Sequence, residues 1–348
     1  MPIFYSLSEV PDNRGRLSLP MRTLSPAPRA FVDPETRAPA FGSYAGPLPP
    51  IHFDGLALAD RALRRKKWLY VALTSDELWI ALAVVRMGYA TNAFAFAYHL
   101  GERRMLVDAT VVGPPRVADV TEDVHAPGVL ARFGFGRSTV ALERRGDVCD
   151  LRARFADLEI EASIDETTAP PAIAAISELG PSLVSATEKR ALAAVRGSVV
   201  AQGRRFSLDG AFGGYDYTHG LMPRNTRWKW AFAMGRAKDG APVGFNLVQG
   251  FVGASECAAF RSGGVSPVSE PRFDFDVAQP ERPWRLVGDG MDLTFDVGAV
   301  HAQHTNLLLV RSRFLQPAGT FSGTMRIDGR DVELDGVPGV VEDQDVLW

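Results

Sequence analysis

The 348-residue sequence predicts an all-β protein: a tandem pair of antiparallel barrels or half-barrels behind an extended N-terminal arm. Three observations predict it. Short apolar runs of strand length, separated by turn signals, recur from about residue 67 to 334. Each half opens on a tryptophan-led hairpin followed by a meander of similar length. The first 60 residues are instead rich in proline and glycine. The expected division is an arm at 1–60, a first barrel half at 61–180 and a second at 181–348.

In the arm, Pro26-Ala27-Pro28 and Gly46-Pro47-Leu48-Pro49-Pro50 remove backbone donors and break regular structure. Phe4, Tyr5, Phe31, Phe41, Tyr44 and Phe53 give it apolar anchors, so it is expected to drape over the body. Trp68–Leu73, a Thr-Ser-Asp-Glu turn and Leu78–Val85 then read as a hairpin of two buried strands. Phe94, Phe96 and Tyr98 alternate with Ala93, Ala95 and Ala97, which suits a curved sheet with a crowded face. Arg103–Thr110 extends the meander, and further strands fit around 130–142, 148–156 and 158–164.

Residues 165–200 read two ways. Pro170-Pro171 breaks the sheet, and 172–179 and 187–195 have helix-favouring composition, whereas the surrounding pattern favours strands. The boundary between the halves is placed here. Trp228–Met234, a turn at Asp239-Gly240 and Val243–Phe251 make the second hairpin. Arg272–Val277, Trp284–Val287, Met291–Val297 and Leu307–Val310 continue it, and Met325–Leu334 closes it around Asp328-Gly329. In the tail, Glu342-Asp343 reads as a solvated or ion-paired lid element.

Composition excludes several classes. The hydrophobic fraction of 46% and charged fraction of 23% are those of an ordinary soluble protein. A net charge of −3 leaves no electrostatic footprint for nucleic acid. The basic cluster Arg64-Arg65-Lys66-Lys67 reads as a solvated turn before a strand, with an anion site or peripheral membrane contact as the alternative. Cys149 and Cys257 lack metal-ligand spacing and are expected as buried thiols. His301 and His304 have a spacing that would suit a metal on a helix, but their segment reads as a strand end or turn, so neither a metal nor another cofactor is expected. The N-terminus has no basic region followed by an apolar run, and no segment has the length of a membrane span. The expectation is a cytoplasmic protein, with no prediction of oligomeric state. Gly101-Glu-Arg-Arg and Gly134-Phe-Gly-Arg lack the strand–loop–helix context of phosphate loops, and no serine sits in a nucleophile elbow.

The most informative stretch is Gly210–Gly220, with Arg224–Trp230 after it. Glycine weakens a strand and marks bulges or close approaches. Here glycines surround Tyr215, Asp216, Tyr217 and His219, and Trp228, Trp230, Phe232 and Met234 then present one large apolar face. A carboxyl buried among aromatics keeps its proton to higher pH, and aromatic faces stabilise a carbocation. Asp216 is therefore the candidate acid, and Tyr217 and His219 the groups that hold it or relay protons. Tyr215, Trp228, Trp230, Asn246 and Arg224 are the candidate ligand-binding residues. The alternatives are plain: Asp216 accepting backbone bonds at a strand corner, His219 as a structural partner, Arg224 pairing an acid such as Glu342 or Asp343, and Asn246 facing away from the tryptophans.

The segments Gly213–Gly220, Arg224–Ala231 and Gly244–Leu247 together resemble the DUF2804 family. So do Lys66-Lys67-Trp68, Gly323-Thr324, Asp328-Gly329 and Glu342-Asp343. The resemblance runs over most of the chain from about residue 50. More remotely the sequence is similar to the AttH/CrtC proteins (carotenoid hydratases among them) and tocopherol cyclase. Their pattern, Gly-Tyr-His-Asp-His-Asn-Trp-Gly followed by Trp-x-Trp, is matched by Tyr215, Asp216, Gly220, Trp228 and Trp230. Its His-Asp-His core is here Asp216-Tyr217-Thr218-His219, one residue shorter. That resemblance implies tandem lipocalin-like, or calycin-like, barrels. It also implies hydration, cyclisation or cycloaddition of isoprenoid or polyketide chains without metal or nucleotide. The expected function is binding of a hydrophobic small molecule, isoprenoid, polyketide or fatty-acyl, with metal-free acid catalysis by Asp216. A non-catalytic carrier or a structural partner of a biosynthetic complex is the alternative.

Overall fold

In the computed structural model, which describes residues 10–11, 17–18, 23–53, 55–306 and 311–348, the chain forms two curled antiparallel sheets. Together they make a tandem of lipocalin-like half-barrels. Beyond a two-residue strand at Ser25–Pro26 that runs parallel to its first member, the first sheet has β1 (Gly42–Ala45), β2 (Arg65–Thr74), β3 (Leu78–Met87), β4 (Thr91–His99) and β5 (Arg104–Gly113). It continues through β6 (Ala118–Val120), β7 (Gly128–Phe135), β8 (Ser138–Arg145), β9 (Val148–Phe155) and β10 (Leu158–Asp165). Its last members are β11 (Ile173–Gly180), β12 (Leu183–Ala201), β13 (Arg204–Ser207) and β14 (Ala211–Leu221). A short helix, α1 (Leu58–Leu63), leads into β2.

The second sheet holds β15 (Asn225–Arg236), β16 (Pro242–Gln249), β17 (Ala258–Arg261), β18 (Gly264–Pro267) and β19 (Arg272–Asp274). It is completed by β20 (Trp284–Gly288), β21 (Met291–Asn306), β22 (Arg311–Ile327) and β23 (Arg330–Leu347). The main path of the first sheet runs β5-β4-β3-β2-β14-β12-β10-β9-β8-β7-β6, and the second runs β18-β17-β16-β15-β23-β22-β21-β20-β19. The late strand β14 thus lies between β2 and β12, at the middle of the first sheet.

The pleat explains why β2–β4 are apolar almost throughout. Successive side chains point to opposite faces, and here both faces are covered. Leu69, Val71, Leu73, Ile80, Leu82 and Val84 pack into the first barrel with Ala93, Ala95 and Ala97. Tyr70, Trp79, Phe94, Phe96 and Tyr98 pack instead with Trp230, Phe232 and Phe245 of the second sheet. The large-and-small alternation along β4 therefore fills two cores at once.

Several expectations resolve at this level. Residues 130–142 belong to two strands, β7 and β8, that turn at Gly136 (φ 63°). The segment with helix-favouring composition is β: β11 and β12 pair with each other, and β12 also pairs with β10 and β14. Ladder bonds and burial on a pre-existing sheet outweigh the few tenths of a kcal/mol per residue (about 0.7 at most for ordinary residues) that helix propensity offers. Sheet membership changes between Leu221 and Asn225, so β12, β13 and β14 hydrogen-bond into the first sheet. The arm adds β1 to the edge of β11 and buries Phe31 in the first core. The expected anchors Phe4 and Tyr5 and the expected strand Leu307–Val310 lie outside the described residues. Both cysteines are buried free thiols, pushed up to about 12 by burial. Among the described residues, no helix is long and apolar enough to cross a membrane. His301 sits within β21, with its Nδ1 2.6 Å from Asp108 Oδ1.

Candidate functional site

The glycine-rich motif is β14, and its glycines allow close approach. A Cβ on Gly214 would lie 2.4 Å from the Arg190 carbonyl oxygen and 2.9 Å from Met234 Sδ. Opposite it, β12 bulges between Arg190 and Ala193, with Leu192 at φ 65°. β14 is thereby held against β12 on one side and the second sheet's core on its face. The pleat then sorts the motif. Tyr215, Tyr217 and His219 point into the first barrel; Asp216 and Thr218 point toward the second sheet.

The first-barrel face is held by fixed partners. The Tyr215 hydroxyl donates to Glu188 Oε1 at 2.5 Å, and the Leu48 amide donates to Glu188 Oε2 at 2.6 Å. His125 Nε2 lies 2.7 Å from the same carboxylate. Burial opposes the charge of Glu188, but His125, Arg190 and the Leu48 amide outweigh it and hold the carboxyl below its usual range. Tyr217 donates to the Thr121 carbonyl at 3.0 Å. His219 accepts from Arg65 Nε at 3.0 Å and meets the Phe53 ring edge-on. Burial, reinforced by Arg65 and Lys67, keeps that imidazole neutral.

The other face opens into a cavity of about 330 Å³ between the sheets. Trp68 stacks on Trp228, Tyr70 meets Trp230 edge-on, and Phe94 lies against Phe314; all six rings line the space. Set into this aromatic wall are two carboxyl sites. At the first, Asp216 Oδ2 lies 2.7 Å from Lys189 Nζ, which is 3.1 Å from Glu256 Oε2. The Thr218 hydroxyl donates to Asp216 Oδ1 at 3.2 Å. Burial opposes the Lys189 charge, yet the two carboxylates outweigh it and raise the ammonium. Burial raises Glu256, against the pull of Lys189.

The second site is the carboxyl of Glu342, on β23. Trp228 Nε1 donates to its Oε1 and Gln316 Nε2 to its Oε2, each at 2.7 Å. Burial pushes Glu342 up to about 7, with Asp216 adding to the rise and the two hydrogen bonds opposing it. A buried carboxyl of this kind holds its proton close to neutral pH, the condition for a general acid.

The family profile described as "domain of unknown function (DUF2804)" matches residues 26–348. The chain belongs to the DUF2804 family. No curated protein sequence matches it. Among solved structures, an AttH-like protein from Nitrosomonas europaea is similar at a TM-score of 0.52 and 13% identity, covering 85% of this chain and 98% of its own. Kievitone hydratase from Nectria haematococca is similar at a TM-score of 0.50 and 15% identity, over 93% of this chain and 98% of its own. CghA is similar at 0.52 and 11%, over 92% and 97%. At these identities the likeness speaks for the fold.

Of the residues expected from sequence, this DUF2804 chain brings Asp216, Trp228 and Trp230 together at the cavity. It points Tyr215, Tyr217 and His219 into the other core, as odd and even positions of a strand require. Asn246 stands behind the wall: it accepts from Trp230 Nε1 at 2.6 Å and donates to the Glu256 carbonyl at 2.7 Å. Arg224 is not among the residues lining the cavity, and its carbonyl accepts from the Trp348 amide. Sequence reasoning missed Lys189, Glu256, Tyr70, Gln316 and above all Glu342, which is buried rather than a solvated lid. A signal was present. Glu342, Gln344, Val346 and Trp348 all line the cavity, a period of two that assigns the tail to a strand facing it.

Proposed function

We propose that the aromatic cavity binds a hydrophobic small molecule, isoprenoid, polyketide or fatty-acyl, and that proton transfer within it hydrates, cyclises or isomerises the ligand. The single observation that carries this reading is Glu342, a carboxyl that burial pushes up to about 7, set in a wall of tryptophan and phenylalanine rings. The Glu342 carboxyl gives its proton to an alkene carbon, leaving a carbocation on the ligand and a carboxylate on the enzyme. The faces of Trp68, Trp228 and Trp230 stabilise the cation. Water adds to it and returns a proton to Glu342, giving an alcohol; loss of a neighbouring C–H proton to the same carboxylate gives an isomer instead.

Asp216, the acid expected from sequence, has a different part in this reading. Ion-paired with Lys189 and bonded by the Thr218 hydroxyl, it steadies positive charge across the cavity or orients water. Tyr217 and His219, facing the other core, take no part. A hydratase is known on a similar fold, though a fold hosts many functions. One observation favours a carrier without catalysis: each cavity carboxyl already has protein partners.

The test is native mass spectrometry with organic extraction of the protein from its own host, alongside Glu342→Gln and Asp216→Asn. A co-purifying ligand converted by wild type but intact on Glu342→Gln is the expected result. Conversion unaffected by Glu342→Gln would overturn the assignment of the acid, and an unaltered ligand on all three proteins would establish a carrier.

A further inference from the structure

A second hollow, also of about 330 Å³, lies beside the cavity at the same end of β2 and β3, on the opposite face of the first sheet. Its walls carry Arg61 from α1, Arg65 and Lys67 from β2, and Arg86 from β3, with Leu58, Ala62, Met87 and Gly88. Gly88 lets α1 close over it, since a Cβ there would lie 2.2 Å from the Ala62 carbonyl oxygen. Met87 is the ridge between the two hollows and belongs to the wall of both.

The basic cluster that reads from sequence as a solvated turn is therefore built into the fold. Lys66 is fully buried and Lys67 is 5% exposed. The Lys66 ammonium bonds the Leu63 carbonyl and lies over the rings of Tyr89 and Trp348, both at the aromatic cavity.

The carboxylates facing this hollow do not balance it. Asp119 pairs with Arg86 at 2.6 Å, and Glu122 pairs with Arg65 and His52. Lys67 Nζ lies 3.9 Å from each of them, beyond hydrogen-bond distance. Four cations thus face two carboxylates: Arg61 has no ion pair among the described residues, and Lys67 shares its two acids with Arg86 and Arg65 at the longer distance. Burial pushes Lys67 down to about 8, with Arg65 adding to the effect, so a bound anion would relieve that cost.

We infer that this hollow is an oxyanion subsite, taking the phosphate head of an amphiphile whose apolar chain crosses Met87 into the aromatic cavity. The inference rests on the proposed reading of that cavity as a ligand site and narrows its ligand to a chain with an anionic end. Guanidinium groups suit it, because their planar donors match phosphate oxygens in pairs.

The test titrates the whole protein with geraniol, farnesol and geranylgeraniol and with their monophosphates, reading tryptophan fluorescence. Inorganic phosphate and phosphatidylglycerol vesicles are run in parallel. The expected result is a monophosphate bound about tenfold or more tightly than its alcohol. The gap should shrink with added salt and close in Arg61→Glu, whose side chain is exposed and makes no internal contact that folding needs. Lys67→Met, kept if its circular dichroism matches wild type, should narrow the gap as well. Equal affinity for alcohol and phosphate would overturn the subsite and leave the cavity reading intact. Binding of the phosphates undiminished in Arg61→Glu would overturn it too. Response to vesicles alone would reassign the basic hollow to a membrane surface. No response to any chain would count against the cavity reading and take the subsite with it.

Discussion

The two faces of β14 differ in what their polar groups are for. On the first-barrel face, Tyr215 joins a buried network in which Glu188 holds the arm, His125 and Arg190 while Glu166 pairs with Arg190 and Arg144. On the cavity face, Asp216 and Glu342 are also buried, but they border empty space walled by aromatic rings. Both faces come from one eleven-residue strand. The difference teaches that a polar motif in an apolar setting has two uses, and that the side on which space remains separates them.

The comparison breaks most visibly at Glu188. Removing one partner of a buried ion pair leaves uncompensated charge, so Glu188→Ala should lower stability by about 3–5 kcal/mol. Chemical denaturation reads this, and limited proteolysis should show the arm at 42–50 released first. A loss under about 1 kcal/mol would mean that the closed face is no more structural than the open one.

Glu342→Gln should act oppositely: native-like circular dichroism with turnover reduced roughly 10²–10⁴-fold, the usual contribution of a general acid. Its pH dependence has a definite sign. The native carboxyl titrates at about 7 against an ordinary 4.5, so the native state binds the proton more tightly than the unfolded chain. Stability from this group is therefore greatest below pH 4.5 and falls as pH rises toward 7, by roughly 3 kcal/mol in all. Glu342→Gln should remove that fall, seen as a flatter plot of unfolding free energy between those pH values. Turnover that depends on the protonated acid should decline in wild type above pH 7.

The finest contrast uses two phenols. Tyr215→Phe deletes a donor to a buried carboxylate and should cost about 1.5–3 kcal/mol. The Tyr70 hydroxyl is buried at the cavity and, among the described residues, meets no partner at normal hydrogen-bond geometry, the Trp79 indole being its polar neighbour. Tyr70→Phe should be neutral or slightly stabilising, because it removes an unsatisfied polar group. Equal losses in the two variants would erase the distinction between the faces.

Much of this was legible before any coordinates. Alternation of large and small residues along 93–98, the Asp-Gly turns and the tryptophan-led hairpins specify strands and their pairing order, because the side-chain period of a strand is local. The motif around Asp216 and the Trp228/Trp230 face were likewise visible as an unusual polar stretch beside an apolar one. Three things were not. That β12 is a strand was settled by neighbours on both edges, against its own propensity. That Asp216 and His219 part company follows from the pleat, but which side holds a cavity depends on how two sheets pack. That Glu342 faces Asp216 across the cavity depends on β23 returning beside β15, a pairing of residues more than a hundred positions apart. Local chemistry fixes what each segment is able to form; only the closing of the two sheets decides which carboxyls are buried together.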